Sequence, residues 1–372
     1  MRIAILTLPL HTNYGGILQA YALQTVLERM GHTVELIQKN PSLQEWNWKV
    51  PFSFIKRHIK QLYTSNSKAP QKGIAYTRQN TDRFIDKYIH RRLISSISDI
   101  RPSDYDCIVV GSDQIWRRIY YAPRYRSVMY SIDPKDAFLR FASGWDIKRI
   151  VYAASFGVDD WEYSLNETTS CARLLQKFDS VSLREKSGVE NCTNYLGCKA
   201  EHVLDPTMLL EKDDYLELIR VAGISHDLSA DNKMFCYILD RNNNKNRIIN
   251  DISKNTGLSP IYMTGDIVDT IVQPPVEQWI AAINNSSVVV TDSFHACVFS
   301  IIFKKPFIAI GNKGRGLSRF NSLLDTFNLK DRLIDEDSSS YPSLDNGMPE
   351  NIDSALNHWR KKSLRFLSNA IK

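Results

Sequence analysis

Short apolar runs alternate with longer amphipathic segments along most of the chain. Runs such as "RIAIL" and "DCIVVGSD" have the length of buried strands, and each ends in a polar or glycine-bearing turn. The segment "GGILQAYALQTVLERMG" instead carries apolar residues at helical spacing and ends at Gly31, a common helix stop. A further strand, "HTVELIQ", follows at once. Strand, helix and strand joined by short links predict parallel sheets flanked by helices, which is the α/β class.

This strand and helix pattern occurs in two series, separated by the polar stretch "SHDLSADNK". Because 372 residues exceed what one hydrophobic core usually supports, we predict two Rossmann-like domains that face a cleft. The predicted N-terminal domain covers 1–210, with an insertion at about 44–73, and the C-terminal domain covers 211–349. The last segment, 350–372, is predicted to be an amphipathic helix with a basic outer face. Ligands of such sheets bind beyond the carboxyl ends of strands, so polar residues there are the candidates.

Composition narrows the class of protein only in part. The chain has 43% hydrophobic and 24% charged residues, as an ordinary folded protein does. Its net charge of +6 is small and dispersed, which gives no indication of nucleic acid and fits an anionic substrate or an anionic membrane surface equally. The six cysteines include no CxxC pair, so we expect a reducing, cytoplasmic location and no structural metal. We also expect no bound cofactor.

Two features concern membranes. No run approaches the roughly 18 apolar residues of a spanning helix, so any membrane contact is predicted to be peripheral. The start, "MRIAILTLPL", lacks a small-residue cleavage site and is interpreted as a strand rather than a signal peptide. The insertion mixes aromatic and basic residues, among them Trp46, Trp48 and Lys56. It is interpreted either as a membrane or lipid contact at the inner membrane face or as a packed flap.

Two loops of the N-terminal domain carry candidate binding residues. The turn after the first strand contains Asn13, Tyr14, Gly15 and Gly16. Paired glycines let backbone amides approach a phosphate or a sugar, and a simple tight turn is the alternative. The loop after "CIVV" contains Ser112, Asp113, Gln114 and Trp116. In this position Asp113 either binds or activates a hydroxyl group, or it caps a helix.

Two further strand ends carry charged residues. In "SVSLREKSG", Arg184 directly follows a strand, where its fork suits a carboxylate or a phosphate; a salt bridge to Glu185 or to an acid across the sheet is the alternative. In "EHVLDPTMLL", Asp205 precedes a proline and is interpreted first as a turn residue.

The stretch "TDSFHACVFSIIF" places His295 in the first turn of a predicted buried helix. A histidine there can give or take a proton near neutral pH, and a hydrogen-bonded structural histidine is the alternative. The next loop, "GNKGRGLSRF", brings Lys313, Arg315 and Arg319 together around three glycines. It lacks the ending of a P-loop, so it is interpreted as a basic loop that clasps an anion, or as a solvated loop.

Taken in this order, "NYGGILQAYALQTVLERMGHTVELI", "DCIVVGSDQIW", "SLREKSG", "LDPTMLL" and "TDSFHACVFSIIFKKPFIAI" resemble the polysaccharide pyruvyl transferase family. The resemblance covers most of the chain and excludes the insertion and the tail. It implies a glycosyltransferase-B-like fold without a metal. It also implies transfer of a pyruvyl group from phosphoenolpyruvate to a sugar of a bacterial surface polysaccharide or its lipid-linked precursor, giving a cyclic ketal.

The resemblance also implies roles for residues. His295 matches the family's general acid, Arg184 matches a donor-binding arginine, and Arg319 resembles a later basic residue that holds the donor. Many members carry an arginine two places before this histidine, whereas this chain has Ser293. Two alternatives stay open: Lys313 or Arg315 compensates for the missing charge, or the activity is altered.

On this interpretation the acceptor lies on the N-terminal domain, with Asp113 as a base. The residues assigned to acceptor binding are Asn13, Tyr14, Gly15, Gly16, Ser112 and Trp116. Two other functions stay open: a nucleotide-sugar-dependent glycosyltransferase of the same fold, and a non-catalytic glycan-assembly protein.

Overall fold

Two parallel sheets organise the chain. The computed structural model describes residues 1–40, 73–122, 129, 131–224, 232–263, 272–312, 316–344 and 347–372. The first sheet contains β1 (Arg2–Leu6), β2 (Thr33–Lys39), β3 (Arg91–Ile94), β4 (Cys107–Val110), β5 (Lys148–Ala154), β6 (Ser180–Leu183) and β7 (Glu201–His202). The second contains β8 (Lys233–Tyr237), β9 (Ser259–Tyr262), β10 (Val288–Thr291), β11 (Phe307–Ile310) and β12 (Leu333–Ile334). The predicted α/β class with two parallel sheets is confirmed.

Helices connect most of these strands, as the apolar periodicity predicted. The first half contains α1 (Tyr14–Arg29), α2 (Gly73–Tyr88), α3 (Leu165–Leu175), α4 (Lys186–Leu196) and α5 (Lys212–Val221). The second half contains α6 (Asn243–Thr256), α7 (Val276–Asn285), α8 (Phe294–Ile302), α9 (Ser318–Thr326) and α10 (Ile352–Ile371).

The strand order places the candidate loops at two special points. The first sheet runs β3-β2-β1-β4-β5-β6-β7, so its order reverses between β1 and β4. The second runs β12-β11-β10-β8-β9 and reverses between β10 and β8. Neighbouring loops diverge at such a reversal and leave a crevice for ligands. The loops with Gly15, Asp113 and His295 follow β1, β4 and β10, so each lies beside one of the two reversals.

The two halves are packed closely against each other. One continuous apolar cluster includes buried side chains from both sheets, from Ile3 in β1 to Phe307 in β11. Tyr14 at the start of α1 stacks on Trp279 of α7 with ring centroids 5.4 Å apart. Its hydroxyl donates a hydrogen bond to the Pro274 carbonyl at 2.7 Å. The first helix is therefore held by the second half of the chain.

The last helix returns to the first half. Ser363 Oγ accepts a hydrogen bond from the Leu204 amide at 2.9 Å, and the Phe366 ring lies 6.3 Å from that of Tyr152. Arg360 donates to the carbonyls of Met208 and Leu210. Helix α10 thus spans both halves, and the domain limits at 210 and 349 stay predictions.

The membrane hypothesis concerns the predicted insertion at about 44–73. The insertion from 44 to 72, with Trp46, Trp48 and Lys56, lies outside the described residues, and α2 begins at Gly73. Among the helices in the described ranges, none combines the length and the apolar character needed to span a bilayer.

Candidate active site

Four strand ends of the two sheets bring the candidate residues together. Asp113 follows β4, Arg184 directly follows β6, and Asp205 follows β7. His295 lies in the first turn of α8, which follows β10. Because parallel strands present their carboxyl ends at one edge, residues far apart in the sequence meet here.

Arg184 is the centre of a buried ion-pair network. Its Nη1 donates to Asp205 Oδ2 at 2.6 Å, and its Nη2 donates to Asp113 Oδ1 at 3.1 Å. The Arg184 side chain is only 1% exposed. Its partners are acids across the sheet rather than Glu185, which was the other salt bridge considered. Such a network fixes the guanidinium in one orientation before any ligand arrives.

His295 is held against the same carboxylate. Its Nε2 lies 3.5 Å from Asp205 Oδ2, and the residue is 5% exposed. This separation is long for a hydrogen bond, and Nε2 has no hydrogen-bond partner among the described residues. Asp205 therefore orients the ring through charge while leaving Nε2 available to another partner.

Gly15 forms the opposite wall around His295. A Cβ atom at Gly15 would lie 2.0 Å from His295 Nδ1 and 2.2 Å from Cγ, so only glycine fits without displacing the ring. At Gly16 the nearest atom would be Asn13 Nδ2 at 3.3 Å, at the far end of an exposed side chain. The role of Gly15 is therefore to let α1 approach the histidine of α8.

Two guanidinium groups pack against the ring of Phe294. Arg184 Cζ lies 4.6 Å and Arg319 Cζ 5.4 Å from the ring centroid, which are cation–π distances. Arg319, in the first turn of α9, is 5% exposed. Burial, with the nearby Arg184, lowers the pKa of Arg319 to about 10, so it stays charged at neutral pH. The predicted donor-binding pair is therefore brought together around one aromatic side chain.

Both carboxylates stay ionised. Burial favours the neutral acid, but Arg184, His295 and Arg319 outweigh it and hold the pKa of Asp113 below its usual range. For Asp205, burial is likewise outweighed by His295 and Arg184, and its pKa is far below the ordinary value. A carboxylate with a depressed pKa is a weak base. The geometry therefore supports Asp113 as the partner of Arg184 more firmly than as a base.

Sequence reasoning missed Asp205, Phe294 and Glu185 as parts of this site. Asp205 reads locally as a turn residue, and it does accept a hydrogen bond from the Thr207 amide at 3.0 Å. Glu185 is fully buried, accepts a hydrogen bond from the Phe156 amide at 2.8 Å, and has a pKa raised by burial. An acid at each of two strand ends was the available signal, but their shared arginine becomes visible only in the folded protein.

Three residues assigned to acceptor binding are fully buried in the structure. Trp116 is fully buried, stacks on Phe138 at 4.6 Å and donates its Nε1 proton to the Ala137 carbonyl. Ser112 is also fully buried and donates to the Ala153 carbonyl. Tyr14 is held by Trp279 and Pro274, as described above. Packing alone gives each of these three residues a structural role, and their assignment to acceptor binding stays a prediction.

The other candidates are placed as follows. Asn13 is exposed at the start of α1. Ser293 is the N-cap residue of α8, is 7% exposed, and its amide donates to Thr291 Oγ1 at 3.0 Å. Lys313 and Arg315 lie outside the described residues, so their assignment to the donor stays a prediction.

The space inside the cluster is small. A cavity of about 10 Å³ is lined by Arg184, Asp205, Phe294 and neighbouring side chains. Such a volume holds about one water molecule. Within the described ranges, no group of three or more His, Cys, Asp or Glu side chains is arranged to hold a metal ion. The cluster places the guanidinium groups of Arg184 and Arg319 and the imidazole of His295 together in a buried setting, which suits contact with a small anion.

Comparison with known proteins assigns the sequence to a family. The model of the family described as polysaccharide pyruvyl transferase matches residues 13–314, most of the chain. The chain belongs to the polysaccharide pyruvyl transferase family. The matched region contains five residues of the site: Gly15, Asp113, Arg184, Asp205 and His295. Arg319 lies five residues beyond its end. No curated protein sequence matches the chain.

Solved structures match this chain over nearly its whole length at low identity. UDP-GlcNAc 2-epimerase from Methanocaldococcus jannaschii, in complex with UDP-GlcNAc and UDP, is 12% identical with a TM-score of 0.46, covering 100% of this chain and 99% of that one. The enzyme from Neisseria meningitidis bound to UDP-GlcNAc is 10% identical with a TM-score of 0.49, covering 100% and 99%. Arabidopsis thaliana UGT89C1 complexed with UDP is 9% identical with a TM-score of 0.45, covering 100% and 95%. These structures are similar to the chain in overall fold only.

Proposed function

We propose that the protein transfers the pyruvyl group of phosphoenolpyruvate to two hydroxyl groups of one sugar, forming a cyclic pyruvate ketal. The acceptor is a bacterial surface polysaccharide or its lipid-linked precursor. Membership of the family supports the transferase class. The observation that carries the donor assignment is the pairing of Arg184 and Arg319 on Phe294, beside His295 and Asp205.

The reaction begins with protonation of the donor. A protonated His295 delivers its proton to the methylene carbon of phosphoenolpyruvate, which becomes a methyl group. The neighbouring carbon becomes an oxocarbenium-like centre and is attacked by the first sugar hydroxyl. The proton lost from that hydroxyl restores His295. Attack by the second hydroxyl breaks the bond to the phosphate oxygen, and its proton leaves with inorganic phosphate.

The fixed charges match this sequence. Arg184 and Arg319 present guanidinium groups to a donor that carries both a phosphate and a carboxylate. Asp205 contacts His295 and Arg184 together, so it places the proton donor and one anion-binding group in a single frame. Preorganised charges of this kind are worth most in a site that excludes water.

The closed cluster also limits how the donor enters. The cavity of about 10 Å³ beside Arg184, Asp205 and Phe294 is too small for phosphoenolpyruvate, so donor binding at this point would require the side chains around it to move. We place the protein in the cytoplasm, where phosphoenolpyruvate is available, with peripheral contact to the inner membrane face if the acceptor is lipid-linked.

The decisive experiment compares thermal midpoints with millimolar phosphoenolpyruvate and with UDP. A ligand that binds only the folded state raises the midpoint by mass action. We expect a rise with phosphoenolpyruvate alone, which is lost in Arg184→Lys and in His295→Gln but kept in Arg173→Lys, an exposed arginine on α3. A rise with UDP alone contradicts the proposal and favours the nucleotide-sugar glycosyltransferase.

A rise with neither ligand also contradicts the proposal and favours a non-catalytic assembly protein. The Lys and Gln variants retain polar side chains in the buried cluster, and their midpoints without ligand report whether they fold. Release of inorganic phosphate in the presence of candidate acceptor sugars then tests the transfer itself.

A further inference from the structure

A second cavity lies between the N-termini of α4 and α9, next to the active-site cluster but lined by other residues. Its volume is about 410 Å³, and Lys186, Ser187, Ser318 and Lys330 contribute to its lining. None of these belongs to the Arg184–His295 network. The cavity is large enough for a phosphate group together with part of the molecule that carries it.

Both helices begin without a side-chain cap. The N-cap residues, Glu185 of α4 and Leu317 of α9, make no capping hydrogen bond with their side chains. The first amide of α4 donates to Ser322 Oγ at 3.0 Å, so the start of α4 lies directly against α9. That amide of α4 is therefore already bonded, and the attraction for an anion comes from the positive ends of both helix dipoles and from the start of α9, which has no side-chain cap.

Two hydroxyl groups at these helix starts are unpartnered. Ser318 is 97% buried, being 3% exposed, and its Oγ has no hydrogen-bond partner among the described residues. Ser187 Oγ, at the start of α4, also has no hydrogen-bond partner among the described residues. A buried hydroxyl without a partner destabilises the folded state, so a ligand oxygen that accepts from it gains a favourable contact. This observation is independent of the helix ends and points to a ligand rich in acceptor oxygens.

The charged groups around the cavity form a balanced set. Lys330 Nζ lies 2.7 Å from Asp325, and Lys186 pairs with the same carboxylate. Hydrogen bonds from both lysines hold the pKa of Asp325 at about 2, so it stays ionised. Asp159 adds a second acid to the lining. Because the acids offset the lysines, selectivity for an anion comes from the hydroxyls and amides, with the half-exposed lysines free to turn toward a bound ligand.

We propose that this cavity binds a phosphate-class oxyanion through Ser318, Ser187 and the uncapped helix ends. The source is either inorganic phosphate or the diphosphate that joins a sugar to its carrier. The tetrahedral phosphate has enough acceptor oxygens to serve both hydroxyls and a lysine at once, whereas a carboxylate has only two. The site is inferred from its own geometry and does not depend on the proposed reaction.

The test measures binding of inorganic phosphate and of pyrophosphate by isothermal titration calorimetry, at neutral pH and fixed ionic strength. We expect millimolar or tighter binding of at least one of them by the wild type. Ser318→Ala and Lys330→Gln should each weaken it about tenfold, the loss expected for one hydrogen bond to a charged group. Lys304→Gln is the matched control, because it removes a comparably exposed Lys–Asp pair, that with Asp353, elsewhere on the surface.

Ser318→Ala gives a second readout that packing alone would not produce. Without phosphate it should raise the thermal midpoint, because the unpartnered hydroxyl is gone, while phosphate should stabilise it less than the wild type. His295→Gln should leave phosphate binding unchanged, which separates this site from the donor site. Tighter binding of pyrophosphate identifies the diphosphate source, and tighter binding of phosphate identifies the free ion. Equal binding by all variants, or no binding at millimolar concentration, overturns the proposal.

Discussion

Replacing Gly15 with alanine tests whether α1 and His295 share one packed contact. The new Cβ would lie 2.0 Å from His295 Nδ1, 2.2 Å from Cγ and 2.7 Å from Cε1, far inside van der Waals contact. The ring is buried between Gly15 and Asp205, so relief of the clash must move the ring or the helix. Overpacking of this kind costs about 1–3 kcal/mol.

Gly16→Ala is the matched control for this change. Both glycines lie in the first turn of α1, and both variants gain the same helix propensity of up to about 1 kcal/mol. At Gly16 the only close atoms belong to the exposed Asn13 side chain, which can move aside. The difference in unfolding free energy between the two variants therefore isolates the clash, and we expect Gly15→Ala to be about 1–3 kcal/mol less stable.

The assay is urea denaturation of both variants, together with phosphoenolpyruvate-dependent phosphate release. We expect Gly16→Ala to keep its activity and Gly15→Ala to lose most of it, because the proton donor is displaced. In a His295→Ala background the added methyl has room, so the stability cost at Gly15 should disappear. Equal stability of the two glycine variants, or an unchanged cost in the His295→Ala background, refutes the assigned contact.

Three further predictions concern the charges and the core. Asp205→Asn should lower the unfolding free energy by about 3–5 kcal/mol, because it breaks the buried ion pair with Arg184. Stability below pH 4 should also depend less on pH, because a carboxylate with a depressed pKa is gone. An unchanged stability contradicts the network. Burial lowers the pKa of His11 and of His202 from 6.5 to about 4. The unfolded chain therefore binds more protons, and stability should fall as the pH drops from 6.5 to 4. In urea titrations His202→Gln should flatten this pH dependence, and a flat wild-type profile contradicts the prediction. Tyr14→Phe should cost about 0.5–1.5 kcal/mol, because it removes the hydrogen bond to the Pro274 carbonyl. We expect an unchanged KM for the acceptor sugar, and a raised KM would support the predicted acceptor role of Tyr14.

The sequence indicated the architecture because the strands are short apolar runs with a clear end. The runs around β1, β4, β10 and β11 are continuous and bounded by polar residues, so their positions follow from local pattern alone. Strand β3 carries two arginines, and β12 is only two residues long, so neither stands out from its surroundings. Their place in the sheets is decided by pairing with β2 and β11.

The site was harder to predict than the fold because its contacts are long-range. Arg184 and His295 carry recognisable motifs, but the acid that joins them comes from a third strand end, 21 residues beyond the arginine. Trp116 shows the opposite problem. An aromatic residue in a loop after a strand suggests a sugar platform, whereas here its ring fills the space above Phe138 and its only polar atom is bonded. Local sequence does not distinguish these two uses of an aromatic side chain.

The serine at position 293 acquires a physical explanation from the placement of Arg319. An arginine there would start one residue from Phe294, whose ring already contacts Arg184 and Arg319. Burial and the nearby Arg184 already lower the pKa of Arg319, so a third buried guanidinium would add repulsion at the same place. Arg319 comes from α9, beyond the region that the family model matches. The chain thus keeps Arg184 and Arg319, the predicted counterpart of the family's later basic residue, on the Phe294 ring and lacks the third charge that many members carry before α8.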